Sequence, residues 1–238
     1  MSKTDKIKFP NHVLNLPVLV LFGLWTVFWI EIRFGVNFNF LGIYPRKLFG
    51  LIGILCSPFI HASAAHLYSN SIPLAVLLGL STYFYPHKIY RILLIGGLVT
   101  GFITWVIGRS TLHIGASGLI YFLASYIFFN GLFSGYYRHM ALSLLVVFLY
   151  GGMIWYILPI QEGISWESHL SGTGSGLLLA LLLRGHTKEL AKYEWEQEDF
   201  DPNKDPFLKH FDASGNFVPQ SEAREINDVN SDKGPKSK

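Results

Sequence analysis

The sequence is poor in cysteine and in charge. Its 238 residues include one cysteine, Cys56, which excludes an intrachain disulfide and a cysteine-rich metal site. Charged residues make up 15% of the chain, whereas hydrophobic residues make up 50% and aromatic residues 16%, a balance that is unusual for a soluble domain. Lysine and arginine form no basic cluster, so the sequence indicates no nucleic-acid partner. We therefore expect a membrane protein.

Acidic residues are scarce in the first 184 residues. Twelve of the sixteen Asp and Glu residues fall in residues 185–238, together with eight Lys and Arg and four prolines. A segment this polar cannot bury enough apolar surface to fold independently. The sequence thus predicts a membrane domain over residues 1–184 and an acidic, disordered cytoplasmic tail over residues 185–238.

Apolar runs recur along the predicted membrane domain. A helix needs roughly 20 apolar residues to cross a hydrocarbon core of about 30 Å. Residues 33–60 are too interrupted to span, so we expect them to lie partly in the outer leaflet. Gly97 and Gly101 give the third span a small-residue packing face. The predicted fold class is all-α, a polytopic bundle of six transmembrane helices. The predicted spans are residues 13–30, 65–85, 89–108, 115–133, 140–160 and 168–183.

The distribution of basic residues predicts the orientation of these spans. Six spans place both termini on one side of the membrane. With the N-terminus inside, nine Lys and Arg residues flank the inner helix ends and four flank the outer ends, which follows the positive-inside bias. We expect an integral, multi-pass protein of the plasma (inner) membrane with both termini in the cytoplasm.

A serine between glycines opens the fourth predicted span, in Gly115-Ala116-Ser117-Gly118. A serine hydroxyl becomes a good nucleophile only when a base accepts its proton, and free backbone N–H groups at a helix start can stabilise an oxyanion. Gly115 allows a sharp backbone turn, and Gly118 lets a neighbouring helix approach closely. The alternative is that these small residues form only a packing face.

A histidine opens the sixth predicted span. His169 is followed at i+3 and i+7 by Gly172 and Gly176, so we expect this helix face to pack closely on the fourth span. Histidine is the usual base for a serine nucleophile, although a membrane histidine can also simply hydrogen-bond a carbonyl. No Asp or Glu lies within a predicted span, so the sequence predicts a Ser117–His169 dyad without a carboxylate.

The second, fourth and sixth spans enter from the same side, so their first turns should lie at similar depth. His66 and Asn70 are four residues apart and share a face of the second span; both can donate hydrogen bonds to an oxyanion. Tyr121 lies one turn after Ser117, where it can stack on His169 or serve only packing. Zinc-binding patterns such as H-E-x-x-H are absent, and we predict neither metal nor cofactor.

Taken jointly and in order, these motifs resemble the rhomboid family of intramembrane serine proteases. The resemblance runs from about residue 45 to residue 184. It implies a six-helix core, a catalytic dyad of Ser117 and His169, and an oxyanion site of His66, Asn70 and the backbone N–H of Ser117. It also implies substrates that are transmembrane proteins, cut in or near their membrane segment. The matching stretches are Ser57-Pro58-Phe59-Ile60-His61, Ala65-His66-Leu67-Tyr68-Ser69-Asn70, Gly115-Ala116-Ser117-Gly118 with Tyr121, and His169-Leu170-Ser171-Gly172 with Gly176.

Two alternative functions for this sequence are an inactive client-binding protein and a small transporter. A catalytically inactive rhomboid-like protein would bind membrane clients without cutting them, although Ser117 and His169 are both present. A small transporter would distribute polar residues along a path through the whole membrane, whereas here they gather near one side and no inverted repeat is visible. The family's tryptophan-arginine pair is not evident in the first loop, which carries Pro45-Arg46-Lys47 instead. We predict a serine endopeptidase that works in the lipid bilayer.

Overall fold

A computed structural model describes residues 12–183 and, of the remainder, residues 200–202, 204–211, 214–217 and 219. The chain divides into two compact units, residues 1–187 and 188–238. Across the described residues the structure is helical, without a β-strand. The α-helices of the first unit are α1 (His12–Phe34), α2 (Gly53–Cys56), α3 (Ala64–Phe84), α4 (Ile89–Ile107), α5 (Ser117–Ser134), α6 (Tyr137–Tyr150) and α7 (Trp166–Leu182).

Within the described part of the chain, four helices are long and apolar enough to cross a membrane: Val13–Phe34, Ile89–Ile107, Ser117–Ser134 and Tyr137–Ile157. Helix α3 adds a fifth candidate when it is taken with the preceding segment Leu48–Phe59, from which it departs at 75°. Helix α7 has 17 residues, fewer than the roughly 20 of a typical crossing. The protein is thus a multi-pass membrane protein whose described residues are mostly helical, and the count of six spans stays a prediction.

The region between α1 and α3 forms short helical turns rather than a span. Three 3₁₀ helices, Asn39–Leu41, Leu48–Ile52 and Ser57–Phe59, surround α2. Tight backbone contacts hold them together, because a Cβ on Gly53 would overlap the backbone of Gly42. Leu48 is nevertheless 83% exposed. Such exposure of apolar surface is costly in water but not in lipid, which agrees with the expected interfacial position of this region.

Helix α5 contacts α3, α4, α6 and α7, most extensively α7. Two glycines of α7 make that contact close. A Cβ on Gly172 would overlap the carbonyl oxygen of Gly118, and one on Gly176 would lie 2.6 Å from the carbonyl oxygen of Phe122. The structure therefore brings both glycines against the α5 backbone, as their spacing predicts, and the two helices approach without intervening side chains.

The fifth predicted span, residues 140–160, changes its helical type midway. Helix α6 ends at Tyr150 and the chain continues as a 3₁₀ helix over Gly151–Ile157, called here the 3₁₀ segment. None of its seven residues is buried, and Trp155 is 65% exposed. The change begins at the glycine pair Gly151-Gly152, where the backbone has the most conformational freedom.

Among the described residues, helices α1 and α7 each contain an acidic residue, and Glu31 lies within the candidate span Val13–Phe34, which corrects the expectation that no span holds one. Helix α1 extends to Phe34 and so includes Glu31, whose Oε1 accepts the Phe38 N–H at 2.8 Å. Helix α7 begins at Trp166 and includes Glu167 in its first turn. Boundaries drawn from hydropathy stop short of these polar end turns, whereas a carboxylate in a first turn is favoured by the helix dipole.

Most of the predicted disordered tail, residues 185–238, lies outside the described residues. In the second unit the structure describes a 3₁₀ turn at Leu208–His210 and an isolated antiparallel bridge between Phe211 and Phe217. The boundary at residue 184 and the disorder of the tail stay predictions.

Candidate active site

A partly open cavity of about 1120 Å³ lies where α3, α5 and α7 begin. The lining comes from these helices, from the loop of residues 108–116 between α4 and α5, and from the 3₁₀ segment. Five polar side chains singled out in the sequence line it together: His66, Asn70, Ser117, Tyr121 and His169. The common depth expected for the first turns of the three helices therefore brings these residues to one cavity.

Ser117 is the first residue of α5 and is partly exposed. The turn before it depends on Gly115, whose φ of +105° is rarely adopted by residues with a side chain. A Cβ on Gly115 would also lie 2.8 Å from Nε2 of His66, and the Gly115 N–H donates to the Ser57 carbonyl at 2.9 Å. Glycine at this position thus lets the serine-bearing backbone lie against the His66 ring.

The His169 ring is held by two contacts. It stacks on Tyr121 with ring centroids 4.1 Å apart and planes 10° apart. Its Nδ1 lies 2.8 Å from the carbonyl oxygen of Tyr156. Because a carbonyl can only accept, Nδ1 must carry the proton, and in the neutral ring Nε2 then holds the free lone pair. The ring is therefore in the tautomer that a base requires at Nε2.

Both partners of this stack are bonded to the 3₁₀ segment. The Tyr121 hydroxyl donates to the Met153 carbonyl oxygen at 2.7 Å, as His169 donates to that of Tyr156. The sequence assigned no role to Met153 or Tyr156, because a backbone acceptor leaves no mark in the residue type. The 3₁₀ segment is thus the element that orients the proposed base.

His66 and Asn70 lie on the side of the cavity formed by α3. The Asn70 amide nitrogen is buried without a hydrogen-bond partner among the described residues, and it lies 3.6 Å from the position of a Cβ on Gly115. Leaving a buried donor unpaired is costly, so such groups often mark a place where another oxygen binds. The His66 ring packs edge-on against His61, with centroids 5.0 Å apart.

Ser117 and His169 share the cavity but are not joined directly. Within residues 12–183, the structure contains no hydrogen bond between the Ser117 hydroxyl and the His169 ring. Catalytic hydrogen bonds are often long in substrate-free sites and tighten when substrate binds. The arrangement therefore places a serine hydroxyl, an imidazole with a free Nε2 lone pair and an unpaired amide donor around one space.

An ion pair between the buried carboxylate of Glu167 and the half-exposed Arg109 lies beside the cavity and was not predicted from the sequence. Glu167 is 1% exposed, and its Oε1 accepts the backbone N–H of Arg109 at 3.1 Å and lies 3.4 Å from Arg109 Nε. Arg109 also donates through its guanidinium to the Ile164 carbonyl. The sequence feature that could have predicted this ion pair is the carboxylate of Glu167, two residues before His169. It lies just outside the predicted sixth span, residues 168–183.

His113 joins the same group of residues. Its Nε2 lies 3.1 Å from the Arg109 carbonyl oxygen and therefore carries a proton, which leaves Nδ1 to accept the Ser165 hydroxyl at 2.5 Å. Burial lowers the pKa of His113, so the ring is neutral near pH 7.

The described part of the chain contains no group of three or more His, Cys, Asp or Glu side chains that could hold a metal ion.

Gly118 lies at the close contact between the starts of α5 and α7, because a Cβ there would lie 2.5 Å from the Ser168 hydroxyl of α7. This glycine therefore keeps the start of α5 close to the start of α7.

Known proteins resemble this chain over the region that forms the cavity. A family model described as the Rhomboid domain matches residues 48–186. The uncharacterized proteins Rv1337 of Mycobacterium tuberculosis and Mb1372 of Mycobacterium bovis are each 36% identical over 197 residues, which cover 76% of this chain and 80% of the relative. The uncharacterized protein ML1171 of Mycobacterium leprae is 35% identical over 157 residues, 60% of each chain.

Proposed function

The chain belongs to the rhomboid family, and we propose that it is an intramembrane serine endopeptidase that cuts transmembrane proteins in or near their membrane segment. The observation that carries this proposal is the orientation and tautomer of the His169 ring. Its ring is stacked on Tyr121 and bonded through Nδ1 to a carbonyl, in the same cavity as Ser117. This leaves Nε2 as the nitrogen able to accept the serine proton.

In the proposed reaction, the Ser117 hydroxyl oxygen attacks the substrate carbonyl carbon while His169 Nε2 accepts the hydroxyl proton. The resulting oxyanion receives hydrogen bonds from His66, from the Asn70 amide and from the backbone N–H of Ser117. Cleavage of the C–N bond follows, with His169 returning its proton to the leaving amine. Water then hydrolyses the acyl-serine with His169 again acting as base.

The position of Gly115 supports this assignment of the oxyanion site. A Cβ built on Gly115, two residues before Ser117, would lie 2.8 Å from His66 Nε2 and 3.6 Å from the Asn70 amide nitrogen. A carbonyl attacked by Ser117 would therefore have its oxygen within reach of donors from α3 and from the start of α5. Each such donor contributes a factor of about 10²–10³ in kcat where it has been removed from serine enzymes.

For the membrane arrangement, we propose that α3 and α7 also cross the bilayer, which gives the six spans expected from the sequence. The polar start of α7 lines the cavity, so only its remaining length needs lipid contact. The excess of basic residues at the inner helix ends supports a plasma (inner) membrane location with both termini in the cytoplasm. The acidic tail of residues 185–238 would then be cytoplasmic.

We propose that substrates enter beside the 3₁₀ segment. None of its residues is buried, and it borders the cavity through Met153 and Tyr156. A transmembrane substrate could reach the cavity from the lipid at this position without crossing the tightly packed contact between α5 and α7.

The decisive experiment compares wild-type protein with Ser117→Ala in liposomes that contain a transmembrane reporter with an unstable helix. We expect wild-type protein to cut the reporter and Ser117→Ala to be inactive, because no other residue supplies the nucleophile. Ser69→Ala is a matched control, since Ser69 lines the same cavity but donates to its own helix. Equal cleavage by wild type and Ser117→Ala would refute the assignment.

A serine-directed fluorophosphonate gives a second readout. His169→Ala should abolish its reaction with Ser117, and retained labelling would mean that another group acts as base. If the wild-type protein binds the reporter but neither cuts it nor reacts with the probe, the chain is instead an inactive rhomboid-like, client-binding protein.

A further inference from the structure

The buried carboxylate of Glu167 has no part in the reaction proposed above. Building on that proposed function, we propose that Glu167 is a positioning residue. It bonds the loop of residues 108–116, which leads to Ser117, to the first turn of α7, which carries His169. In this way it sets the separation of the nucleophile and the base without contacting either.

Glu167 contacts the loop at Arg109. Its Oε1 accepts the Arg109 backbone N–H at 3.1 Å and lies 3.4 Å from Arg109 Nε, whereas Oε2 is buried without a partner in the described residues. Oε1 therefore accounts for both contacts. Arg109 lies two residues after the end of α4, so the carboxylate holds the loop where it leaves that helix.

A second connection joins the loop to α7 four residues later. Ser165, which precedes α7, donates to His113, and the other nitrogen of that ring donates to the Arg109 carbonyl. Arg109, His113, Ser165 and Glu167 thus form one connected hydrogen-bonded set, called here the clasp. The loop is fixed to α7 at two points and cannot pivot freely about either.

The opposite edge of the loop is fixed to the region before α3. His113 and Ile43 exchange backbone hydrogen bonds of 2.9 and 3.0 Å, and the Gly115 N–H donates to the Ser57 carbonyl at 2.9 Å. The loop therefore has a defined position relative to that region. Because of this, the clasp adds to the α5–α7 contact a second constraint on where the start of α7, and with it His169, lies relative to Ser117.

The chemistry of the contact predicts which substitutions matter. An aliphatic side chain cannot accept the Arg109 N–H, so this partly buried hydrogen bond would be lost and the loop would shift. An amide oxygen at the same place can still accept that bond. Arg109 is 45% exposed, so water can solvate its guanidinium when the carboxylate is gone.

The test compares Glu167→Leu and Glu167→Gln in the reconstituted full-length protein, with kcat and KM for the transmembrane reporter normalised to the amount of enzyme that the fluorophosphonate labels at saturation. For Glu167→Leu we expect kcat to fall about 30-fold, since small displacements of reacting groups can cost up to about 10²-fold in rate. KM should stay within about twofold because the substrate contacts are unchanged. Glu167→Gln should keep kcat within about threefold.

Glu31→Leu is the matched control, because Glu31 also accepts one backbone N–H from the segment after its helix but lies outside the cavity lining. It should leave kcat unchanged. If Glu167→Leu lowers only the yield or thermal stability while kcat per labelled enzyme equals that of wild type, the positioning role is overturned. Cleavage by wild type and its loss in Ser117→Ala, measured alongside, show that the proposed function itself holds.

Discussion

Helix α5 and the run from α6 through the 3₁₀ segment are neighbours in sequence, yet they are packed very differently. Half of the apolar window of α5 is buried (50%), against 17% for Tyr137–Ile157. Helix α5 carries Ser117 at its first residue. The α6 run carries no proposed catalytic side chain, but its carbonyls bond Tyr121 and His169.

This difference in packing bears separately on two requirements of the proposed site, the position of the nucleophile and the orientation of the base. The nucleophile lies on an element that is fixed from several sides, so its position should be insensitive to small surface changes. The base lies on α7, but its tautomer and ring plane depend on a segment with no buried residue among its seven. Weakly packed segments open at low free-energy cost, so the orientation of the base should be the more easily disturbed part.

The largest effect should come from disrupting the close packing of α7 against α5. Gly172→Val places a Cβ onto the Gly118 carbonyl oxygen, where backbone rather than a flexible side chain would have to move. Overpacking of this kind costs about 1–3 kcal/mol or more, so we expect loss of folded protein and of fluorophosphonate labelling. Thermal unfolding in detergent measures the first and gel fluorescence the second.

Gly174→Val provides the control for that substitution, because a Cβ there would meet no described atom within 4 Å. Both changes place the same β-branched residue in α7, so helix propensity cancels in the comparison. Equal destabilisation by the two variants would show that close packing on α5 is unimportant.

An intermediate effect should follow from disturbing the base. Tyr121→Ala removes the ring that stacks on His169, whereas Tyr121→Phe keeps the ring and removes only the bond to the Met153 carbonyl. We expect kcat to fall about 10²-fold in the first variant and about threefold in the second, since the base loses its alignment only in the first. Initial rates of reporter cleavage at saturating substrate provide the measurement. A larger loss for Tyr121→Phe would mean that the link to the 3₁₀ segment matters more than the stack.

The smallest effect should come from a substitution in the weakly packed 3₁₀ segment. Gly152→Ala adds a Cβ that meets no described atom within 4 Å, at a residue without a positive φ. It should raise the free energy of unfolding by about 0.4–1 kcal/mol by reducing the freedom of the unfolded chain. Hydrogen exchange of the 3₁₀ segment amides should slow accordingly. Gly135→Ala, at a φ of +66°, should shift stability in the opposite direction.

The convergence of Ser117, His169, His66 and Asn70 could be predicted from the sequence because it follows from topology. Each lies in the first two turns of a helix that enters from the same side, and the cavity lining agrees with that expectation. The Tyr121 stack could be predicted as one of two possibilities from helical periodicity. What made these predictions possible is that each depends on spacing along a single helix.

The remaining features depend on contacts that spacing does not encode. The acceptors for His169 and Tyr121 are backbone carbonyls, which any residue could supply. The expected packing face on α4 shows the same limit: Gly101 does pack on Ile54, but a Cβ on Gly97 would meet no described atom within 4 Å, and Gly96 instead accommodates the Phe122 ring. Which of two adjacent glycines faces a neighbour depends on the rotation of α4 about its axis, which the motif alone cannot define.

The bonds from Tyr121 and His169 to the 3₁₀ segment have a consequence for the order of events in a catalytic cycle. A displacement of the segment that breaks the bond between His169 Nδ1 and the Tyr156 carbonyl also releases the constraint on which ring nitrogen carries the proton. If a substrate entered by moving this segment, the His169 ring would lack the hydrogen bond that fixes its tautomer when the substrate arrived. Bond cleavage would then wait until the segment returned, and turnover would follow the frequency of that return rather than the speed of the chemical step.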